Sequence, residues 1–269
     1  SRSSLRIVHR SRSPEPLLSR YNVSVVRRVF WASCWLAIAF IAIKAYYLGV
    51  PPALALTDSG NYLRSLAAIS YLDVVFAALL WAAGRALLVL AHGRRPAFAR
   101  AIVVGLVAFA ACSIIYDVAN ILLFGVYGGF LTYPLLALVG NVRMLSSSAT
   151  AYVTPGAVIA LVALPAAFVG LLEATVRLVP ERASRPWRPR SGVAFASLGA
   201  WTVLGAYAFS SEWTTRQDRR IADNPQWVLI SSWWQVVTGD GWIVGRHPDL
   251  ATTLHLADRL SNEIRVLAG

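Results

Sequence analysis

The sequence is poor in charge. Only 14% of its 269 residues are Asp, Glu, Lys or Arg, whereas a water-soluble domain of this size carries about a quarter. Hydrophobic residues make up 57% of the chain, and the mean hydropathy is +0.57. These values exclude a simple soluble globule. Several apolar runs of about 20 residues could each cross a hydrocarbon core about 30 Å thick, which predicts a polytopic membrane protein.

Cysteine and histidine are also scarce. Cys34 and Cys112 both lie inside apolar runs, where a thiol usually behaves as a small buried hydrophobe, so we expect no disulfide. None of the four histidines lies within a predicted span: His9, His92, His247 and His255. We therefore expect no intramembrane haem or pigment ligation, no metal site and no other cofactor.

Lysine is almost absent, and the net charge of +12 comes from arginine. Arginines are concentrated in residues 1–28, 94–100 and 182–190, whereas the predicted loops 50–66 and 125–155 hold few. By the positive-inside rule we predict a bacterial inner-membrane protein with a cytoplasmic N-terminus and a periplasmic C-terminus. This charge pattern indicates topology and attraction to phospholipids, and we expect no nucleic-acid partner.

Hydropathy and the positions of helix-breaking residues predict an all-α chain with a bundle of five transmembrane helices. The helices are expected at about 29–49, 67–91, 98–124, 156–179 and 192–210. We divide the chain into an Arg-rich cytoplasmic arm (1–28), the transmembrane domain (29–210) and a periplasmic Trp-rich helical tail (211–269).

Two segments outside the spans are unusual. The outer loop 125–155 is too apolar for a free loop, yet Gly128, Gly129 and Pro134 interrupt it, so we expect a short interfacial or re-entrant helix near 133–145. The tail mixes acids, arginines and tryptophans, which predicts amphipathic helices packed on the outer membrane face. Its tryptophans would form an interfacial belt at the periplasmic surface: Trp227, Trp233, Trp234 and Trp242.

Ionisable residues within spans are the strongest leads to a site, because burying them in a membrane is costly. Counting depth along alternating helices places Lys44, Asp73 and Asp117 in the outer third, with Asn120 one turn further along. Three interpretations remain open: a buried ionic cluster that fastens helices together, a cavity for a lipid headgroup, and a proton or ion path. The same count predicts an ion pair between Arg85 and Glu173 near the inner face.

No catalytic motif stands out. The serines at 146–148 and 231–232 have no histidine, lysine or acid nearby in a spacing that would activate a hydroxyl, so we predict no catalytic residue. The arm carries arginines that could contact a partner subunit or anionic lipid: Arg2, Arg6, Arg10 and Arg12.

The order of these pieces resembles the N-terminal membrane half of the lipoteichoic-acid-synthase-like proteins of the sulfatase (alkaline phosphatase) superfamily, over roughly residues 30–235. The resemblance rests on five spans, on the outer-loop sequences LTYPLL (131–136), SSS (146–148) and YVTPG (152–156), and on NPQWVL (224–229) followed by two serines. It implies a helical half that anchors an extracytoplasmic domain transferring or hydrolysing phosphate or sulfate esters. The metal ligands and nucleophile of that domain are not found here, so no catalytic residue can be assigned by the resemblance.

Two functions follow as expectations. The first is a non-catalytic accessory or scaffold subunit, derived from such a membrane domain, in a multi-subunit inner-membrane complex, with energy-transducing photosynthetic or respiratory assemblies as candidate hosts. The alternative is the membrane anchor of a sulfatase-superfamily phosphoglycerol or phosphoethanolamine transferase whose catalytic domain lies outside this sequence.

Overall fold

The structure is a computed structural model, and it describes residues 17–49, 56–91, 96–139, 154–178 and 188–238. These residues form helices joined by short connections, with no strand among them. The predicted arm contacts at Arg2, Arg6, Arg10 and Arg12 lie outside the described residues, as does Trp242.

Five long helices dominate the described chain. They are α1 (Leu17–Leu48), α2 (Leu56–Leu90), α3 (Pro96–Tyr127), α5 (Pro155–Leu178) and α6 (Arg188–Ala208). A short α4 (Tyr133–Val139) follows α3, and α6 continues into a π-helical turn (Phe209–Trp213), a 3₁₀ turn (Arg219–Ala222) and α7 (Pro225–Thr238). Five segments are long and apolar enough to cross a membrane. Four lie within α1, α2, α3 and α5, and the fifth runs from Gly192 in α6 through the π-helical turn to Trp213. The all-helical class and the count of five candidate spans agree with the prediction.

Local sequence explains where several helices begin and end. Proline occupies the first position of α3, α5 and α7, where a missing N–H costs nothing and the fixed φ suits a helix. Gly49, directly after α1, has φ of 75°, and Gly128, directly after α3, has φ of 65°. These left-handed conformations terminate helices and are accessible to glycine without strain. Helix α2 begins eleven residues before the predicted span, because the polar stretch after Leu56 continues the same helix.

Helix α1 is central to the packing of the bundle. Helix α1 contacts α2, α3 and α5, whereas α6 packs mainly along α2, and α5 lies against α1 and α3. The shared core contains large buried side chains from four helices: Leu36, Phe40, Ile69, Ile114 and Leu172. At Gly205 the α6 backbone lies so close to α2 that a Cβ atom would overlap the backbone of Ala67. Small residues permit such close approach between membrane helices.

Candidate functional site: a buried polar cluster

The structure brings Lys44, Asp73 and Asp117 together at one place in the bundle. The Nζ of Lys44 lies 3.6 Å from Oδ2 of Asp73, and both side chains are 0% exposed. Asp117 is also completely buried. These three residues come from α1, α2 and α3, so the cluster lies where the three central helices meet.

Lys44 is held by more than its acid partner. Its ammonium group donates hydrogen bonds to the backbone carbonyl oxygens of Ile221 and Asp223, the latter at 3.1 Å. The same nitrogen lies 4.9 Å from the ring centroid of Phe130, a favourable distance for a cation–π interaction. Residues 221–223 follow the last candidate span, so this lysine ties a late segment of the chain to the start of the bundle.

Asn224 connects the cluster to helix α7. Its side-chain Nδ2 donates to Oδ1 of Asp73 at 2.8 Å, while its Oδ1 accepts the backbone N–H of Trp227 at 2.9 Å. The second bond is an N-cap interaction, and Pro225 follows at the first helical position. One amide therefore both caps α7 and donates to one oxygen of a buried carboxylate.

The segment of residues 221–226, which we call the insert, penetrates deep into the bundle. Gln226 donates a 2.9 Å hydrogen bond to the backbone oxygen of Ser113 in α3. Ser113 lies about 18 Å, at 1.5 Å per residue, from Gly125, the last residue of that apolar segment. The sequence predicted that everything after residue 210 packs on the outer face. The structure instead buries most of the insert among the helices, and the side-chain amide nitrogens of Asn224 and Gln226 find hydrogen-bond acceptors there.

Asn120 has a different role from its predicted neighbours. Its Nδ2 donates to the carbonyl of Tyr116 at 2.8 Å, and its Oδ1 accepts the backbone N–H of Leu131 at 2.7 Å. It therefore fixes the connection from α3 to α4. Both carboxylate oxygens of Asp117 have no hydrogen-bond donor within the described residues. Its favourable electrostatic neighbour is Lys44.

Helix α7 is amphipathic, but its polar side is buried against the bundle and its apolar side is exposed, the reverse of a helix on a water-soluble protein. Ser231 and Ser232 are buried, and Ser232 accepts the backbone N–H of Tyr133 in α4 at 2.8 Å. The opposite side is apolar and exposed, including Trp227, Trp233 and Trp234. This orientation is what a helix bordered by lipid would show, and it explains why the two serines carry structural hydrogen bonds.

Glu173 forms its salt bridge with a different arginine from the predicted one. Its Oε2 lies 3.1 Å from Nη2 of Arg28 in α1, and no ion pair joins it to Arg85 in the part of the chain that the structure describes. The reason is lateral packing, since α5 lies against α1 and α3 and Arg85 belongs to α2. Neighbouring bonds reinforce the α1–α5 contact, including that of Trp35 with Thr175 at 3.0 Å.

The polar cluster is inaccessible from outside the bundle. A lipid headgroup could reach Lys44 or Asp73 only if the insert moved, because both side chains are completely covered. Sequence reasoning missed Asn224 and Gln226, although an Asn–Pro pair before an apolar run is a recognisable helix start. Among the described residues, no group of three or more His, Cys, Asp or Glu side chains is placed to hold a metal ion.

Comparison of the chain with protein-family models, with curated proteins and with solved structures gives no match.

Proposed function

We propose that this protein is a non-catalytic scaffold or accessory subunit of a multi-subunit complex in a bacterial inner membrane. The observation that carries the proposal is an uncovered face of small residues on α6. Gly192, Ala196, Gly199 and Ala200 are all exposed, and their spacing of three and four residues places them along one side of the helix. Small residues on a membrane helix let a second helix approach closely.

The two sides of α6 support this interpretation by contrast. On the buried side Gly205 already packs directly on α2, which demonstrates the same small-residue packing within the chain. On the open side no atom lies within 4 Å of a Cβ atom placed at Gly192 or Gly199. A helix of a partner subunit would fill this face with the geometry that α2 uses on the other side.

The closed polar cluster is consistent with a scaffold. Polar contacts within the chain join α1, α2, α3 and the insert, and they are made by the side chains of Lys44, Asp73, Asn224 and Gln226. A rigid bundle with an open packing face is suited to positioning other subunits. An energy-transducing assembly of photosynthetic or respiratory type is one candidate host, and periplasmic exposure of α7 and cytoplasmic docking of the N-terminal arm belong to the same proposal.

The test compares matched glycine substitutions in mildly solubilised native membranes. Gly199→Leu adds bulk to the open face of α6, and Gly170→Leu adds the same bulk to α5 at another exposed position with nothing within 4 Å. Both changes favour helix formation, by about 1 kcal/mol, so neither should unfold the chain. We expect Gly199→Leu to reduce the amount of co-purifying subunits at least severalfold, and Gly170→Leu to leave it unchanged.

Two outcomes would contradict the proposal. A wild-type chain that purifies alone would exclude a stable assembly, and equal recovery of partners with Gly199→Leu would exclude this face as the contact.

The same preparation tests the alternative function, a transferase anchor, which the resemblance to the lipoteichoic-acid-synthase-like proteins implies. An intact chain longer by a folded domain of roughly 50–250 residues or more, with phosphoglycerol or phosphoethanolamine transfer activity, would favour the anchor.

A further inference from the structure

A basic cleft lies where the helices end on the side of the insert. It has a volume of about 250 Å³ and is lined by Gly128, Arg216, Gln217, Arg219 and Arg220. Gly128 follows the end of α3, and the four other residues belong to the turn between the π-helical turn and the insert. No carboxylate is among the described residues that line the cleft.

Local contacts orient Arg216 and Arg219. The guanidinium of Arg216 lies 4.0 Å from the ring centroid of Trp213, which is buried, and donates to Asp218 through Nε and Nη2 at 2.9 and 3.0 Å. This pairing uses two of its five N–H donors. Arg219 donates to the backbone oxygen of Thr214 at 3.3 Å. The guanidinium groups of Arg216 and Arg219 are therefore partly ordered before any ligand arrives.

The charge of this turn is unusual for its position. Residues 216–220 contain three arginines and one aspartate, and the predicted topology places them on the periplasmic side, where arginines need not accumulate. The turn lies just beyond Trp213, the last residue of the fifth candidate span, which is the level of lipid phosphates if that span crosses a membrane. Guanidinium groups match phosphate oxygens in charge and in bidentate geometry.

We propose that this cleft binds a phosphate group, which at this level belongs to an anionic phospholipid headgroup or to a free phosphate. Its volume is slightly below that of typical small-molecule pockets, about 300–1,000 Å³, and so suits a headgroup better than a larger ligand. The cleft is distinct from the Lys44 cluster, which is closed to lipid. The proposal is independent of the scaffold function.

The experiment measures lipid binding to the full chain in a neutral detergent by the shift in melting temperature. The probes are short-chain phosphatidylglycerol, a diacylglycerol of the same chain length, a fatty acid, and inorganic phosphate. We expect phosphatidylglycerol to raise the melting temperature and the diacylglycerol to leave it unchanged. Arg219→Gln combined with Arg220→Gln should weaken phosphatidylglycerol binding at least about tenfold, since each lost charge-assisted hydrogen bond carries a large contribution.

Matched variants separate a site from general charge attraction. Arg64→Gln removes an exposed arginine at the same end of the bundle, where it pairs with Glu212 outside the cleft, and should leave binding unchanged. Arg219→Lys combined with Arg220→Lys keeps the charge and should recover only part of the affinity, because lysine lacks the guanidinium fork. This lysine variant also keeps the test valid if the glutamine variant fails to fold.

Each outcome of the binding experiment either supports or overturns the phosphate site. Displacement of phosphatidylglycerol by inorganic phosphate would identify any phosphate as the ligand, whereas binding that phosphate does not displace would identify the lipid headgroup. Both results support a phosphate site. Equal binding of the fatty acid, equal loss with Arg64→Gln, undiminished binding by the double glutamine variant, or no binding of either phosphate probe would overturn it.

Discussion

Two of the salt bridges that join candidate spans, Lys44–Asp73 and Arg28–Glu173, differ in their burial and in their further contacts. Lys44–Asp73 is completely buried, and its members bond further to the insert and to the cap of α7. Arg28–Glu173 has side chains that are 43% and 35% exposed, and it lies at the edge of the α1–α5 contact. An enclosed pair can organise a whole segment of chain, whereas a partly exposed pair adds to a contact that apolar packing already makes.

The first prediction breaks the enclosed pair. Lys44→Met leaves Asp73 and Asp117 buried without their cation and removes the donor to two backbone carbonyls. Breaking a buried pair on one side typically costs about 3–5 kcal/mol, so we expect a large loss of stability, measured by reversible denaturation in detergent. Arg28→Met is the control, and it should cost much less. Equal costs for the two variants would show that enclosure does not matter here.

The second prediction concerns the exposed pair. A double-mutant cycle of Arg28→Gln and Glu173→Gln should give a coupling energy of about 0.2–1 kcal/mol, the range for solvent-exposed pairs. The parallel cycle of Arg85→Gln and Glu173→Gln should be additive, because Glu173 faces Arg28. A larger coupling to Arg85 than to Arg28 would contradict the packing of α5 on α1.

The third prediction has an effect as small as the second and uses a pair outside the candidate spans. Hydrogen bonds from Arg216 hold the pKa of Asp218 below its ordinary value. A carboxyl with a lowered native pKa stabilises the fold above its unfolded pKa of about 3.9, and this stabilisation disappears as the pH falls through the native value. Wild type should therefore exceed Asp218→Asn in stability at neutral pH, by about 0.2–1 kcal/mol. The difference should vanish in acid, as followed by melting temperature; a difference that persists or grows there would contradict this.

The level of each charged residue along the helix axes was predictable from the sequence, but which helices lie side by side was not. Counting residues from the ends of apolar runs placed Lys44, Asp73 and Asp117 at one level, and the structure brings them together. The same count put Arg85 level with Glu173, but it contains no information on which helices lie side by side. Arg28 was missed because it lies at the boundary of the predicted arm, where α1 in fact continues without a break.

The burial of the insert could not be predicted from the sequence either, because it also depends on which segments are neighbours in space. Its composition is mixed, with Asp223, Asn224 and Gln226 close together, and such composition is typical of a surface segment. Burial is possible because Lys44, Asp73 and Ser113 supply partners from other helices. Those partners are more than 100 residues away in sequence, so no local pattern could reveal them.

The closing of the cluster by the insert has a consequence for how the protein is made. Ribosomes add about 5–20 residues per second, so on the order of 5–20 s separate the synthesis of Asp117 from that of Asn224. During this interval α1, α2 and α3 hold their charges without the carbonyl and amide groups that later bind them. Synthesis of the first three helices therefore precedes completion of their polar cluster, and the newly made chain depends on the insert to close it.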